Sequence, residues 1–183
     1  MRPAERLEVI THLGQEIADQ LGVFLVDVKF GQEGKKRTLE VTIFRVDQAV
    51  SLSNCEEFSR ALEATLDKRA ESGEPLVDGT YSLIVQSPGI DRVLKSEREF
   101  RVFAGQMVQV QTKEKIADLG VKFTGVLLNV TDEEVKLAHP KPVAAKSSKK
   151  GTTTGTESVR EDIIVKRDLV FEIRLFAADL QAK

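Results

Sequence analysis

The spacing of apolar residues switches between helical and strand periods along the chain, and the order of those switches limits the folds open to it. Leu7, Ile10, Leu13, Ile17 and Leu21 recur at steps of three and four, the stripe of an amphipathic helix, and Gly22 stands where such a helix stops. VFLVDVKF (23–30) and RTLEVTIFRV (37–46) then read as strands, and the short link GQEGKK predicts an antiparallel hairpin. In the second strand Leu39, Val41 and Ile43 alternate with Thr38, Glu40 and Thr42, which predicts one half-exposed face. Ser53 and Glu56 have capping-box spacing ahead of Cys55, Phe58, Leu62 and Leu66, and Gly73 with Pro75 ends that run. YSLIVQ (81–86) is a third strand, broken at Pro88, which has no amide to donate. The order α-β-β-α-β predicts a two-layer α/β sandwich, a small sheet with two helices on one face.

The helical spacing returns only briefly. Ser96 and Glu99 form a second capping box, Phe100 and Phe103 follow a turn apart, and Gly105 closes the segment. We read 96–105 as a connecting helix between an N-terminal domain, 1–95, and a C-terminal one, 106–183. The second domain offers strands at 106–112, 121–130, 134–138, 159–165 and 169–176, with a tight turn at 166–168. Short strands with no room for a long helix predict a small closed or half-closed SH3-like barrel, making the fold α+β overall. Residues 139–158 are built from Pro, Lys, Ser, Thr and Gly, and are expected to be a disordered, solvated loop. Four lysines against Glu157 would also let it act as a basic finger for RNA phosphates.

Composition narrows the function classes. No window nears the roughly 18 apolar residues of a membrane span, and MRPAERLEVI lacks the apolar run of a signal peptide. A single cysteine, Cys55, excludes an intramolecular disulfide framework, and a cytoplasmic protein is expected. The net charge of −2 divides unevenly: residues 1–95 carry 12 Lys and Arg against 16 Asp and Glu, and residues 96–183 carry 15 against 13. A protein that grips a nucleic-acid backbone unaided would be more basic, so any RNA contact must use local patches or a protein intermediary.

Enzyme chemistry lacks its parts. His12 and His139 have no metal-pair spacing, one cysteine cannot build a zinc cluster, and neither a phosphate loop nor a nucleophile elbow occurs. Cys55 falls on the apolar face of its helix, where a structural thiol is expected. No catalytic residue, metal or cofactor is therefore expected, and a small hydrolase would need a cleft holding a perturbed carboxylate pair. Gly31-Gln32-Glu33-Gly34 fits the GXXG of KH domains, but here it joins two strands and sets Glu33 towards phosphate with the wrong sign. Lys35, Lys36 and Arg37 beside it form a basic cluster at a hairpin tip, serving solubility or a polyanion contact.

The stretch SPGIDRVLK (87–95) carries the sharpest pattern. Pro88 and Gly89 fit the centre of a type II turn with positive φ at the glycine, so that Asp91 and Arg92 stand on a stiff support. Taken alone, the two could simply pair locally and lock a joint between domains. The string resembles the SPG-[LI]-D-R-x-L motif of the RimP family of ribosome maturation factors, matching at Ser87, Pro88, Gly89, Asp91, Arg92 and Leu94. It departs from that pattern at Gln86, where Ser is common, and at Val93, where Pro is common. VSLSNCEEFSRALEATLD resembles the acidic helix of that family and FTGVLLNVTDEEVKL its barrel hairpin, so the likeness runs from about residue 5 to residue 176.

The resemblance implies an N-terminal α/β domain, an SH3- or Sm-like barrel, and a non-enzymatic role in late assembly of the small (30S) ribosomal subunit. It implies as partners ribosomal RNA and a small-subunit ribosomal protein near the decoding region. A monomer is expected, with no membrane partner. The candidate contact residues are Ser87, Pro88, Gly89, Asp91, Arg92 and Lys95, then Lys35, Lys36, Arg37, Arg98 and Arg101, because arginine forks suit phosphate. A general RNA chaperone is the alternative, opposed by the low net charge and the few aromatics for base stacking.

Overall fold

The computed structural model describes residues 2–89, 91–143 and 161–176. It divides the chain into two compact units, Met1–Pro88 and Gly89–Lys183. The first holds helix α1 (Pro3–Leu21), strands β1 (Phe24–Glu33) and β2 (Lys36–Phe44), helix α2 (Leu52–Glu71) and strand β3 (Tyr81–Gln86). β1 and β2 are the expected antiparallel hairpin, turning at Gly34 with φ of 59°, while β3 lies parallel to β2 on its other side. Leu25, Val28, Leu39, Val41 and Ile43 form one core with Ile10, Ile17 and Ala18 of α1 and Phe58, Leu62 and Leu66 of α2. The sheet thus buries one face under two helices, as the apolar periods require.

Three local details differ from the sequence reading. The cap of α2 is Ser51, whose hydroxyl accepts from the Asn54 amide at 3.2 Å while the Asn54 side chain accepts from the Ser51 amide at 3.0 Å. Ser53 instead donates to Glu57 at 2.8 Å within the helix, so the helix starts two residues earlier than the Ser53–Glu56 pair suggested. Thr38 and Thr42 are buried rather than half-exposed. β2 is the middle strand, and their neighbours across the open face are Gly31 and Ser82, and Asp27 and Gln86. Alternation in a sequence does not distinguish an edge strand from a central one.

In the second unit helix α3 (Glu97–Val102) precedes strands β4 (Met107–Ile116), β5 (Gly120–Val130), β6 (Glu134–Pro142), β7 (Ile163–Lys166) and β8 (Val170–Leu175). They form one antiparallel sheet in the order β7-β6-β5-β4-β8, curled into a half-barrel. Register shifts within the β4–β5 and β5–β6 pairs supply bends, since an extra residue in one strand turns it and raises its twist. Gly125 lies at one of them, and a Cβ there would stand 3.1 Å from the Ala138 carbonyl oxygen. Phe103, Val108, Val110, Phe123, Leu127, Leu137 and Ile173 are among the buried apolar side chains of this unit.

β6 runs on to Pro142 because Thr124 and Phe123 of β5 pair with Lys141 and Pro142. His139 to Pro142 are therefore strand, not the start of a loop, and residues 144–158 lie outside those described. The expected turn at 166–168 is a single 3-10 turn, Arg167–Leu169.

Candidate functional site

The SPG stretch changes partners at its glycine. Ser87 and Pro88 end the first unit, and Gly89 opens the second. The turn there closes from the Arg92 amide to the Gly89 carbonyl at 3.1 Å. Gly89 itself does not adopt a left-handed φ, so the type II turn expected at Pro88-Gly89 does not form. The turn begins one residue later because the following residues are already in use. Leu94 donates to the Ile173 carbonyl and Leu175 to the Arg92 carbonyl, both at 2.9 Å, with Val93 bridged antiparallel to Arg174. Residues 92–94 thereby cover the outer edge of β8, a row of backbone groups that would otherwise stand unpaired. Residues 92–94 and α3 both lie in the second unit.

Arg92 is not simply on display. Its Nε donates to Glu99 Oε1 at 2.7 Å, and the other carboxylate oxygen accepts from the Lys95 amide at 2.7 Å and the Ser96 amide at 2.9 Å. Glu99 is 4% exposed. Burial alone would raise its carboxyl, yet the Lys95 amide, the Arg92 guanidinium and the Ser96 amide outweigh it and hold the group below the usual carboxylate range. The second capping box is thus also the clamp that joins the motif to α3. Sequence reasoning found the cap at Ser96 and Glu99, but not its second ligand. The signal available was the spacing, since Arg92 precedes Glu99 by seven residues across a turn.

Asp91 is exposed and lies with Gln109, Lys122, Glu172 and Arg174 on a polar depression of about 310 Å3, where Arg174 is paired with Glu172 at 2.9 Å. Ser87 and Gly89 are exposed and Pro88 is half-buried. A larger cleft, about 690 Å3, opens between α3, the β5–β6 turn and the 3-10 turn. Lys95, Arg101 and Arg167 supply its cations, Glu97 and Asp132 its carboxylates, and Phe100 and Leu128 its apolar surface. Arg167 lies 5.5 Å from the centroid of the Phe100 ring. Arg98, grouped with Arg101 in the sequence, does not line this cleft and is half-buried with an interaction of its own. Arg167 escaped the sequence reading, which saw only a turn residue there.

Lys35, Lys36 and Arg37 stand exposed at the β1–β2 hairpin tip, in the first unit. Arg37 donates to the Asp78 carbonyl at 3.0 Å, which leaves the two lysines as the freer charges. Beside them a cleft of about 390 Å3 includes Arg6, itself paired with Asp78.

Among the described residues no group of three His, Cys, Asp or Glu could hold a metal ion, and no helix is long and apolar enough to cross a membrane. Burial pushes the Cys55 thiol up, away from the thiolate a nucleophile needs. His12 pairs with Glu16 at 3.3 Å on the exposed side of α1.

Residues 13–91 match the protein family described as the RimP N-terminal domain. The match runs from within α1 through the whole three-stranded sheet and ends on Asp91.

Proposed function

We propose that this chain, which matches the RimP family of ribosome maturation factors over residues 13–91, binds the free small (30S) ribosomal subunit and assists its late maturation without catalysing a reaction. The observation that carries this reading is the family match itself, continued past its end by Arg92 and Leu94 of the motif. In this reading the curled C-terminal sheet is an SH3-/Sm-like barrel, and the protein works as a cytoplasmic monomer. Its partners are ribosomal RNA and a small-subunit ribosomal protein near the decoding region. An acidic first domain suits basic ribosomal-protein tails, and the cations after residue 95 suit phosphate.

Ser87, Gly89, Asp91 and Lys95 are exposed and supply contact together with the half-buried Pro88, while Arg92 braces the start of α3 through Glu99. Lys35, Lys36, Arg37, Arg98 and Arg101 add charge at the margins. No bond is made or broken. The factor favours one RNA–protein conformation by binding it more tightly than others, and leaves when the mature form no longer fits.

Co-sedimentation with small subunits, large subunits and joined ribosomes, at low and moderate salt, tests this. Selective pelleting with free small subunits, weakened by Asp91→Lys with Lys95→Glu, is the expected result. Equal pelleting with every particle, lost as salt rises, would make the chain a general RNA binder instead.

A further inference from the structure

Eleven arginines are described, and nine of them are engaged by other groups of the chain. Arg2, Arg6, Arg45, Arg60, Arg69, Arg92 and Arg174 each pair with a carboxylate, Arg37 bonds a carbonyl, and Arg98 has an interaction of its own. Among the described residues only the guanidiniums of Arg101 and Arg167 have neither a hydrogen bond nor an ion pair, and both line the α3–β5 cleft. The Lys95 ammonium, on the same cleft, also has no acidic partner there. Glu97 and Asp132 share the cleft but form an ion pair with none of the three cations, which leaves those cations open to an anion from outside.

The rest of the lining says which anion. The volume, about 690 Å3, falls within the range of roughly 300–1,000 Å3 typical of ligand-sized sites. The guanidinium carbon of Arg167 lies over the Phe100 ring, 5.5 Å from its centroid, and guanidiniums are flat cations of the kind on which an unpaired base stacks. Glu97 and Asp132 would repel a plain phosphate or a lipid headgroup, but they accept hydrogen bonds from a ribose hydroxyl or a base amino group. An acidic peptide would satisfy the cations and leave those two carboxylates opposed. A single nucleotide of RNA carries all three complements: phosphate, hydroxyl donor and flat base.

Resting on the reading that this chain works on ribosomal particles, we infer that the α3–β5 cleft holds an unpaired RNA nucleotide, its phosphate on Arg101 and Lys95 and its base against Arg167. A duplex presents its phosphates on a convex surface with the bases stacked inside, so single-stranded RNA is the ligand class.

The test is fluorescence anisotropy of the full chain with a labelled single-stranded RNA of roughly eight nucleotides and mixed sequence. The parent is compared with Arg101→Gln plus Arg167→Gln, and with Arg101→Gln alone in case the double change unsettles the Phe100 contact. Circular dichroism checks that each folds, and pelleting with small subunits runs in parallel. The double change is expected to weaken RNA binding roughly tenfold or more, and to make the log-affinity against log-salt slope shallower by roughly 0.7, the one phosphate contact that Arg101 supplies. The same RNA annealed to its complementary strand is expected to bind more weakly than the open strand. Equal RNA affinity in parent and folded variants overturns the cleft assignment. So does loss of pelleting in variants when neither protein binds the oligonucleotide, which would make the occupant an acidic protein segment. RNA binding that depends on the cleft, in a parent that pellets with no small subunit, sustains the cleft and sinks the functional reading beneath it.

Discussion

The Nε of Arg92 stands 2.7 Å from Glu99 Oε1, while the other oxygen of that carboxylate takes the amides of Lys95 and Ser96. One buried side chain thus ties the motif to the start of α3. Glu99→Gln keeps the shape but removes the charge and one acceptor. It should lower the stability of the second unit by about 1–3 kcal/mol, because charge-assisted bonds are lost from a buried site. Urea unfolding followed by tryptophan introduced at Phe171, an exposed position, reads this unit directly.

The same carboxyl sets an acid limit. Its folded value lies below the ordinary glutamate value of about 4.3, so its contribution is fully present above that pH and is lost as pH falls through the folded value. The stability gap between parent and Glu99→Gln should therefore be constant near neutrality and shrink below about pH 4.3. Matched unfolding curves across that range check the sign, and a gap that widens on acidification would contradict it.

Val93 departs from the proline of the motif that this stretch resembles, and the backbone there leaves room for either residue. The bonds to β8 use the Arg92 carbonyl and the Leu94 amide, while the Val93 amide donates to no backbone carbonyl among the described residues. Val93→Pro should leave the melting temperature unchanged, or raise stability by about 0.4–1 kcal/mol by restricting the unfolded chain. Leu94→Pro removes a donor in use and should destabilise clearly.

Helix α2 separates two serines that look alike in sequence. Ser51→Ala removes the cap and should cost about 0.5–2 kcal/mol, while Ser53→Ala, inside the first turn and exposed, should change stability by less than about 0.5 kcal/mol. Thermal unfolding of the two variants ranks them.

At Gly14 the helix lies against the sheet so closely that a Cβ would meet Leu25 at 3.3 Å and Phe58 at 3.8 Å. Gly14→Val places further methyls into a filled core and should destabilise the first unit by roughly 1–3 kcal/mol.

The fold was legible where a long period spoke for itself. Leu7 to Leu21, with Gly22 at φ of 65°, and Phe58, Leu62 and Leu66 gave both long helices, and the short strands gave the second unit its sheet. The failures share a cause. Whether Thr38 is buried, whether Gly89 turns, and where β6 ends all depend on a neighbouring strand, which local spacing does not reveal. The motif was visible at once, but its working differs from its look. Arg92 reads as a displayed base and serves as a brace, whereas Arg167, an unremarked turn residue, lies open on the larger cleft.

The most direct test of the maturation role is the particle profile of cells depleted of this protein, resolved on sucrose gradients with the small-subunit RNA ends mapped. The account predicts excess free small subunits carrying unprocessed RNA and fewer joined ribosomes, restored by the parent chain but not by the folded Asp91→Lys, Lys95→Glu variant. An unchanged profile with fully processed RNA after depletion would contradict it.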